Sequence, residues 1–245
     1  MPDKLYQECR SLISGCRAIF EDLLEAGIDI LPLASPKKTA PVTLSVENQP
    51  PPLQQAQLHN LIDIESLADL QQELSGCQDC PLSEQRKQII LGTGNPNARL
   101  VLIGAAPDEQ EERAGSAFVG EIGQLLDRIL LAMKLSRQEV YICNILKCRP
   151  PNNREPEAAE LAFCEAILKR QLTLIAPEMI LSLGSAATQT LLKTDESISK
   201  LRGCWQSYAG IPLMSTFHPA YLLQNPAGKH QVWEDVKQVI HRLQD

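Results

Sequence analysis

Between residues 99 and 243, short apolar runs take turns with longer amphipathic ones, and this alternation constrains the fold more than any other feature of the chain. Residues 99–103, 140–145, 179–183 and 211–217 have the length and β-branched character of strands, and glycines follow two of them at Gly104 and Gly184. Helical periodicity marks residues 62–74, 120–135, 157–175, 185–192 and 229–243; in the second of these Leu125, Leu126, Ile129, Leu130 and Met133 share one face. Strands alternating with helices of this length predict an α/β domain, a central, mostly parallel four-stranded sheet flanked by helices. Ligands of such sheets bind beyond the carboxyl ends of the strands. The loops that leave those ends begin at Gly104, Asn144, Gly184 and His218.

The domain is expected to occupy residues 58–245. Residues 1–30 read as a helical appendage in which Leu5, Leu12, Ile13, Cys16, Phe20, Leu23 and Leu24 follow a 3.6-residue period, with Gly27 as a stop. Residues 31–57 carry six prolines and little periodicity, the pattern of an extended linker. The appendage either packs on the body or offers a surface to a protein partner.

With 245 residues, 44% of them hydrophobic, the chain can bury one substantial core. It has no run of about 18 apolar residues, so no membrane span is expected, and its start lacks the basic-then-apolar pattern of a signal peptide. A cytoplasmic monomer follows as the expectation. A net charge of −7 disfavours a general nucleic-acid binder but leaves room for a local basic rim around a pocket.

In a reducing compartment the eight cysteines are ligands or core residues rather than disulfides. Cys77 and Cys80 form a C-x2-C pair, Cys148 follows the second strand, and Cys164 lies in the third helix. Together they make a candidate four-thiolate site. A redox pair, a zinc site and plain buried thiols stay open on spacing alone, although the redox option lacks the usual strand-to-helix placement. Cys9, Cys16, Cys143 and Cys204 read as structural.

Two polar groups stand at strand ends, Asn144 and His218, the latter within Phe217-His218-Pro219. They offer an amide and an imidazole to one crevice, which Gly104-Ala105-Ala106-Pro107 and Phe118-Val119-Gly120 would also border. In order along residues 70–244, Cys77-x2-Cys80, the 104–126 segment with Gly123-Gln124-Leu125-Leu126, Asn144-x3-Cys148-Arg149-Pro150-Pro151, Cys164, Leu183-Gly184 and Phe217-His218-Pro219-Ala220-Tyr221-Leu222-Leu223 resemble the iron–sulfur (family 4) uracil-DNA glycosylases. The resemblance implies a [4Fe–4S] cluster on Cys77, Cys80, Cys148 and Cys164. It implies DNA containing uracil as substrate, single- or double-stranded, and hydrolysis of the N-glycosidic bond.

Carried over residue by residue, Phe118 would stack on the base and Asn144 would pair with its N3 and O4. His218 would donate to O2, while Gly104 and Ala105 would line the pocket and Glu111 and Asn153 would order it. The segment from Pro219 to Leu223, Leu222 included, would wedge the duplex, and Arg149 and Arg154 would meet phosphates. The chain departs from the family's Gly-Glu-Ala-Pro-Gly at Ala105 and Asp108, and carries Gln224 where arginine is common. Those departures leave two outcomes, excision or binding of uracil-containing or damaged DNA without efficient turnover. A zinc scaffold and an electron-transfer protein are the options from other classes.

Overall fold

The structure, a computed structural model, describes residue 61 and residues 63–244. The appendage and linker expected at residues 1–30 and 31–57 lie outside the described residues.

Six strands form one sheet in the order β1-β3-β2-β4-β6-β5. Four are the strands the sequence pattern announces: β2 (Leu100–Gly104), β3 (Tyr141–Asn144), β4 (Met179–Leu183) and β6 (Ile211–Thr216). They run parallel to one another. Two short antiparallel strands extend the expected four at the edges, β1 (Thr93–Gly94) beside β3 and β5 (Trp205–Tyr208) beside β6. β5 and β6 are joined by Ala209 and Gly210, both at positive φ, a primed hairpin turn that its sequence does not advertise.

Every residue of the inner strands β2, β3 and β4 is buried, as are the last four of the fourth inner strand β6, because helices cover both faces. Leu100, Leu102, Ile142, Leu181 and Met214 pack on one side with α3 (Gly120–Ala132) and α8 (Lys229–Gln244). Val101, Ile103, Tyr141, Ile180 and Leu213 pack on the other with α4 (Ala158–Ile175) and α5 (Ser185–Leu192). The period of two along each strand thus feeds two separate cores. A third, smaller cluster joins α1 (Leu67–Leu74) to α4, which carries Cys164, and to the loops bearing Cys77, Cys80 and Cys148. The helix expected at 120–135 stops at Ala132, since Lys134 turns to positive φ.

Three short helices lie where no periodicity marks them: α2 (Glu109–Ala114), α6 (Ile198–Leu201) and α7 (Pro219–Gln224). α2 is almost wholly polar and is held by its ends. Asp108 and Glu111 form a capping box at its start and Gly115 closes it in the left-handed conformation. In α7, Pro219 occupies the first turn and His218 is the N-cap.

The register aligns the strand ends. Gly104 pairs with Asn144 across β2 and β3, and Leu183 pairs with Thr216 across β4 and β6. The chain crosses from β3 on one side of β2 to β4 on the other, so its direction of winding reverses between β2 and β4. The crevice belongs at that reversal, at the carboxyl ends.

Candidate active site

A cavity of about 110 Å³ opens there, lined by Ala106, Asp108, Glu111, Phe118, Val119, Ile122, Asn144 and His218. Asn144, 2% exposed, ends β3. Its Nδ2 donates to Glu111 Oε1 at 3.4 Å. Glu111 Oε1 also accepts from the Phe118 N–H, and Oε2 accepts from the Asp108 N–H at 2.7 Å. Burial pushes the Glu111 carboxyl above the usual range, against the pull of those three donors. With one amide hydrogen fixed on Glu111, the Asn144 side chain keeps an N–H and its carbonyl oxygen for a ligand.

Gly104, at the end of β2, lies against Asn144 and Phe118 rather than in the cavity lining. A Cβ there would fall 2.2 Å from Asn144 Oδ1 and 2.8 Å from Phe118 Cζ, so only glycine lets the amide and the ring approach. Phe118 sits at φ 54°, a costly conformation for an aromatic residue. Arg137 holds it there, donating to the carbonyls of Phe118 at 2.6 Å, Ala117 at 3.2 Å and Gly123 at 3.3 Å. Nothing in the sequence distinguishes Arg137, which lies outside every motif.

His218 faces the Phe118 ring with centroids 5.4 Å apart. Its Nδ1 accepts from the Ala220 N–H at 3.1 Å, which places the proton of a neutral ring on Nε2. Burial lowers its pKa to about 4, although the Asp108 charge acts the other way. Gly184, at φ +89°, comes so close that a Cβ would lie 2.8 Å from the His218 Cβ. The arrangement therefore presents a ring-stacking face, a two-way amide and a neutral N–H donor to one small cavity.

The four candidate ligands meet in the third cluster. Cys148 and Cys164 are buried within it and Cys77 and Cys80 pack against it. As free thiols all four have raised pKa values, chiefly through burial, Cys148 to about 11 and Cys164 to about 12. Among the described residues, no three His, Cys, Asp or Glu side chains are gathered tightly enough to form a metal site. Arg86 Nη1 lies 3.8 Å from Cys148 Sγ. Lys147 is 1% exposed, and its ammonium, set among Cys143, Cys148 and Cys164, donates to the Asn144 carbonyl at 2.6 Å. Of the cysteines read as structural, Cys143 is buried in β3 but Cys204 is exposed, and Cys9 and Cys16 lie outside the described residues.

Residues 91–237 match the model of the uracil DNA glycosylase superfamily. The chain belongs to that superfamily. It is 39% identical over 165 residues to a type-4 uracil-DNA glycosylase of Thermotoga maritima, covering 66% of this chain and 86% of the relative. It is 41% identical over 180 residues to the type-4 enzyme of Saccharolobus solfataricus, covering 70% and 83%. A type-5 uracil-DNA glycosylase of Pyrobaculum aerophilum is 30% identical over 149 residues, covering 54% of this chain and 66% of that relative.

Of the candidate residues, Phe118, Asn144, His218 and Glu111 line one cavity, and Gly104 lies against Asn144 and Phe118, while the others are placed elsewhere. Ala105 does not line the cavity; it packs against the core on the α4 face, and its carbonyl accepts from the Leu146 N–H at 3.0 Å. Asn153 orders the loop after Cys148 rather than the cavity, its Oδ1 accepting from Arg149 Nε at 2.7 Å. Arg149 also pairs with Glu112 at 3.5 Å and Glu109 at 3.9 Å. Arg154 grips the buried Glu160 through two bonds of 2.9 and 2.5 Å. Both guanidinium groups are thus paired with carboxylates of their own chain rather than free. Pro219 and Leu222 are buried, Leu222 at 1% in the core beneath α7, which removes both from the expected wedge. Leu223 is exposed, and so is Tyr221 within the same expected wedge segment. No helix among the described residues is long and apolar enough to cross a membrane.

Proposed function

We infer that this protein is a uracil-DNA glycosylase of base-excision repair, which hydrolyses the N-glycosidic bond of uracil in DNA and leaves an abasic site. The observation that carries the inference is the Asn144 amide fixed by Glu111 in the same cavity as a His218 ring whose proton is on Nε2. A uracil extruded from the stack offers an N3–H donor and an O4 acceptor. Asn144 complements both with its oxygen and its remaining N–H. Cytosine presents the reverse pattern and would leave two buried polar atoms facing like atoms, a strong basis for rejection. Phe118 supplies the stacking face.

Cleavage puts negative charge on the base, spread to O2. His218 Nε2–H is a preorganised donor for that charge, and because the ring is neutral it gives a hydrogen bond without surrendering its proton. Tyr221 and Leu223, exposed on the short helix that His218 caps, are the apolar groups placed to fill the gap in a duplex that has lost a base.

A [4Fe–4S] cluster on the four cysteines is part of the same proposal. The cysteines come from three separate segments to one apolar cluster, and the buried Lys147 amino group lies near Cys148 and Cys164 with no ion-pair partner among the described residues. Burial holds the Lys147 pKa below the usual lysine value, and thiolate ligands would supply the negative charge that favours its cationic form. Cys77, Cys80, Cys148 and Cys164 would hold the cluster, and the resemblance to the family 4 enzymes selects iron–sulfur over zinc. The bound cluster would supply a structural cross-link between α1, α4 and the exit of β3.

The test is excision from a uracil-containing oligonucleotide by protein analysed for iron and sulfide. An abasic product formed by the wild type and lost in Asn144→Ala and His218→Ala is expected. Absence of product at stoichiometric enzyme with full iron content would overturn the assignment.

A further inference from the structure

Hydrolysis needs more than a group that receives the leaving base. Water must be held against the sugar carbon, and the positive charge that develops on the sugar must be met. Two carboxylates line the cavity, Asp108 and Glu111. Glu111 is committed, since both its oxygens accept from Phe118, Asn144 and Asp108. Asp108 is not. Its Oδ1 accepts from the Glu111 N–H at 2.8 Å, while its Oδ2 has no partner among the described residues. The residue is only partly buried, so that oxygen can carry water. Nor is it a loose surface acid, because the reciprocal capping box with Glu111 fixes its backbone and its side chain together. The same box ties it to the Glu111 that orients Asn144, so the acid and the base reader are held in one frame.

We propose that Asp108 is a catalytic carboxylate that holds the attacking water through Oδ2 and faces the cationic sugar. The proposal rests on the glycosylase assignment above. As the bond from N1 of uracil to C1′ breaks, its electron pair leaves on the base, where the His218 N–H receives it. The water oxygen forms the new bond to C1′. The water proton passes to Asp108 and then to solvent, and the released uracil anion takes a proton from solvent.

Asp108→Asn is the informative variant, because asparagine caps a helix as well as aspartate does and keeps an acceptor for the Glu111 N–H. Its single-turnover excision rate is expected to fall about 100-fold or more, within the span of general-base contributions. Its affinity for an oligonucleotide bearing non-cleavable 2′-fluoro-2′-deoxyuridine is expected to stay within about threefold of wild type, the mark of a group used in the transition state. Asp108→Ser, which also caps without a carboxylate, should behave alike and keeps the test open if asparagine packs badly. An excision rate within about threefold of wild type in either folded variant would overturn the proposal and leave the glycosylase assignment standing. A rate loss matched by an equal loss of analogue affinity would also overturn it, as that is the signature of a structural cap. A wild type that binds the analogue but excises nothing would overturn both.

Discussion

The protonation state of His218 is the most exacting quantity the site offers. An imidazole with an unfolded pKa of about 6.5 and a folded pKa of about 4 resists protonation in the native state. A depressed folded value means the associated stability is fully present above the unfolded pKa and is lost as pH falls through the folded one. The difference of about 2.5 units corresponds to about 3.4 kcal/mol in full, of which about 2 kcal/mol is lost between pH 7.5 and pH 5. One edge of the ring faces the cavity and meets solvent, so these are upper figures. The catalytic corollary is a donor whose protonation does not change across the physiological range: excision should show no step attributable to His218 between pH 8 and pH 5.5.

Nitrogen-15 NMR of the ring, assigned by its loss in His218→Asn, reads both statements directly. The expected spectrum is a neutral Nε2–H tautomer that persists to pH 5 and titrates near pH 4. A ring that titrates near 6.5, or a neutral ring with its proton on Nδ1, would refute the reasoning, since either removes the combination of burial and the Ala220 hydrogen bond from which it is built. The asparagine variant keeps an N-cap acceptor for α7, so its excision defect, expected at about 100-fold or more, reports the lost donor rather than a lost helix.

Three further outcomes follow from the geometry. Gly104→Ala should abolish uracil excision and lower the melting temperature by several degrees, because its methyl group would displace both Asn144 Oδ1 and the Phe118 ring; unaltered kinetics would show that these two side chains yield. Lys147→Met should reduce the iron retained per chain, since it removes the amino group that would face the thiolate ligands and its bond to the Asn144 carbonyl; a variant that retains full iron content would contradict this. Tyr221→Ala with Leu223→Ala should slow excision from duplex by about tenfold while sparing single strands, and equal losses on both would argue against a wedge.

The parallel strands and the long helices were legible because their signal is local. Leu100 to Gly104 is buried on both faces, so it reads as an unbroken apolar run, and α3 repeats Leu125, Leu126 and Leu130 at helical spacing. Elements held by their ends rather than by a face carried no such signal. α2 stands on a capping box, and β5 depends on a turn through Ala209. The strand ends that carry Asn144 and His218 were legible for the same local reason, since a residue that terminates a parallel strand is delivered to the crevice by the topology itself.

What a charge does is set by partners far along the chain, and there the sequence is silent. Arg149 lies in a basic stretch beside prolines and reads as a phosphate contact, yet it answers Glu112, 37 residues away. Arg137 belongs to no motif and holds Phe118 in its strained conformation from 19 residues downstream. Asp108 is the sharper instance. Along the chain it is one acid among several in Asp108-Glu109-Gln110-Glu111-Glu112, and only the fold separates the committed Glu111 from the available Asp108. Ala105 has a methyl group packed away from the cavity, so a glutamate there would have to swing round a backbone already bound to Leu146 before reaching a substrate. Ala105→Glu should therefore leave excision within about threefold of wild type, whereas removing the Asp108 carboxylate should not. The acid that matters is selected by which side of the loop faces the cavity, a property of the fold rather than of the motif.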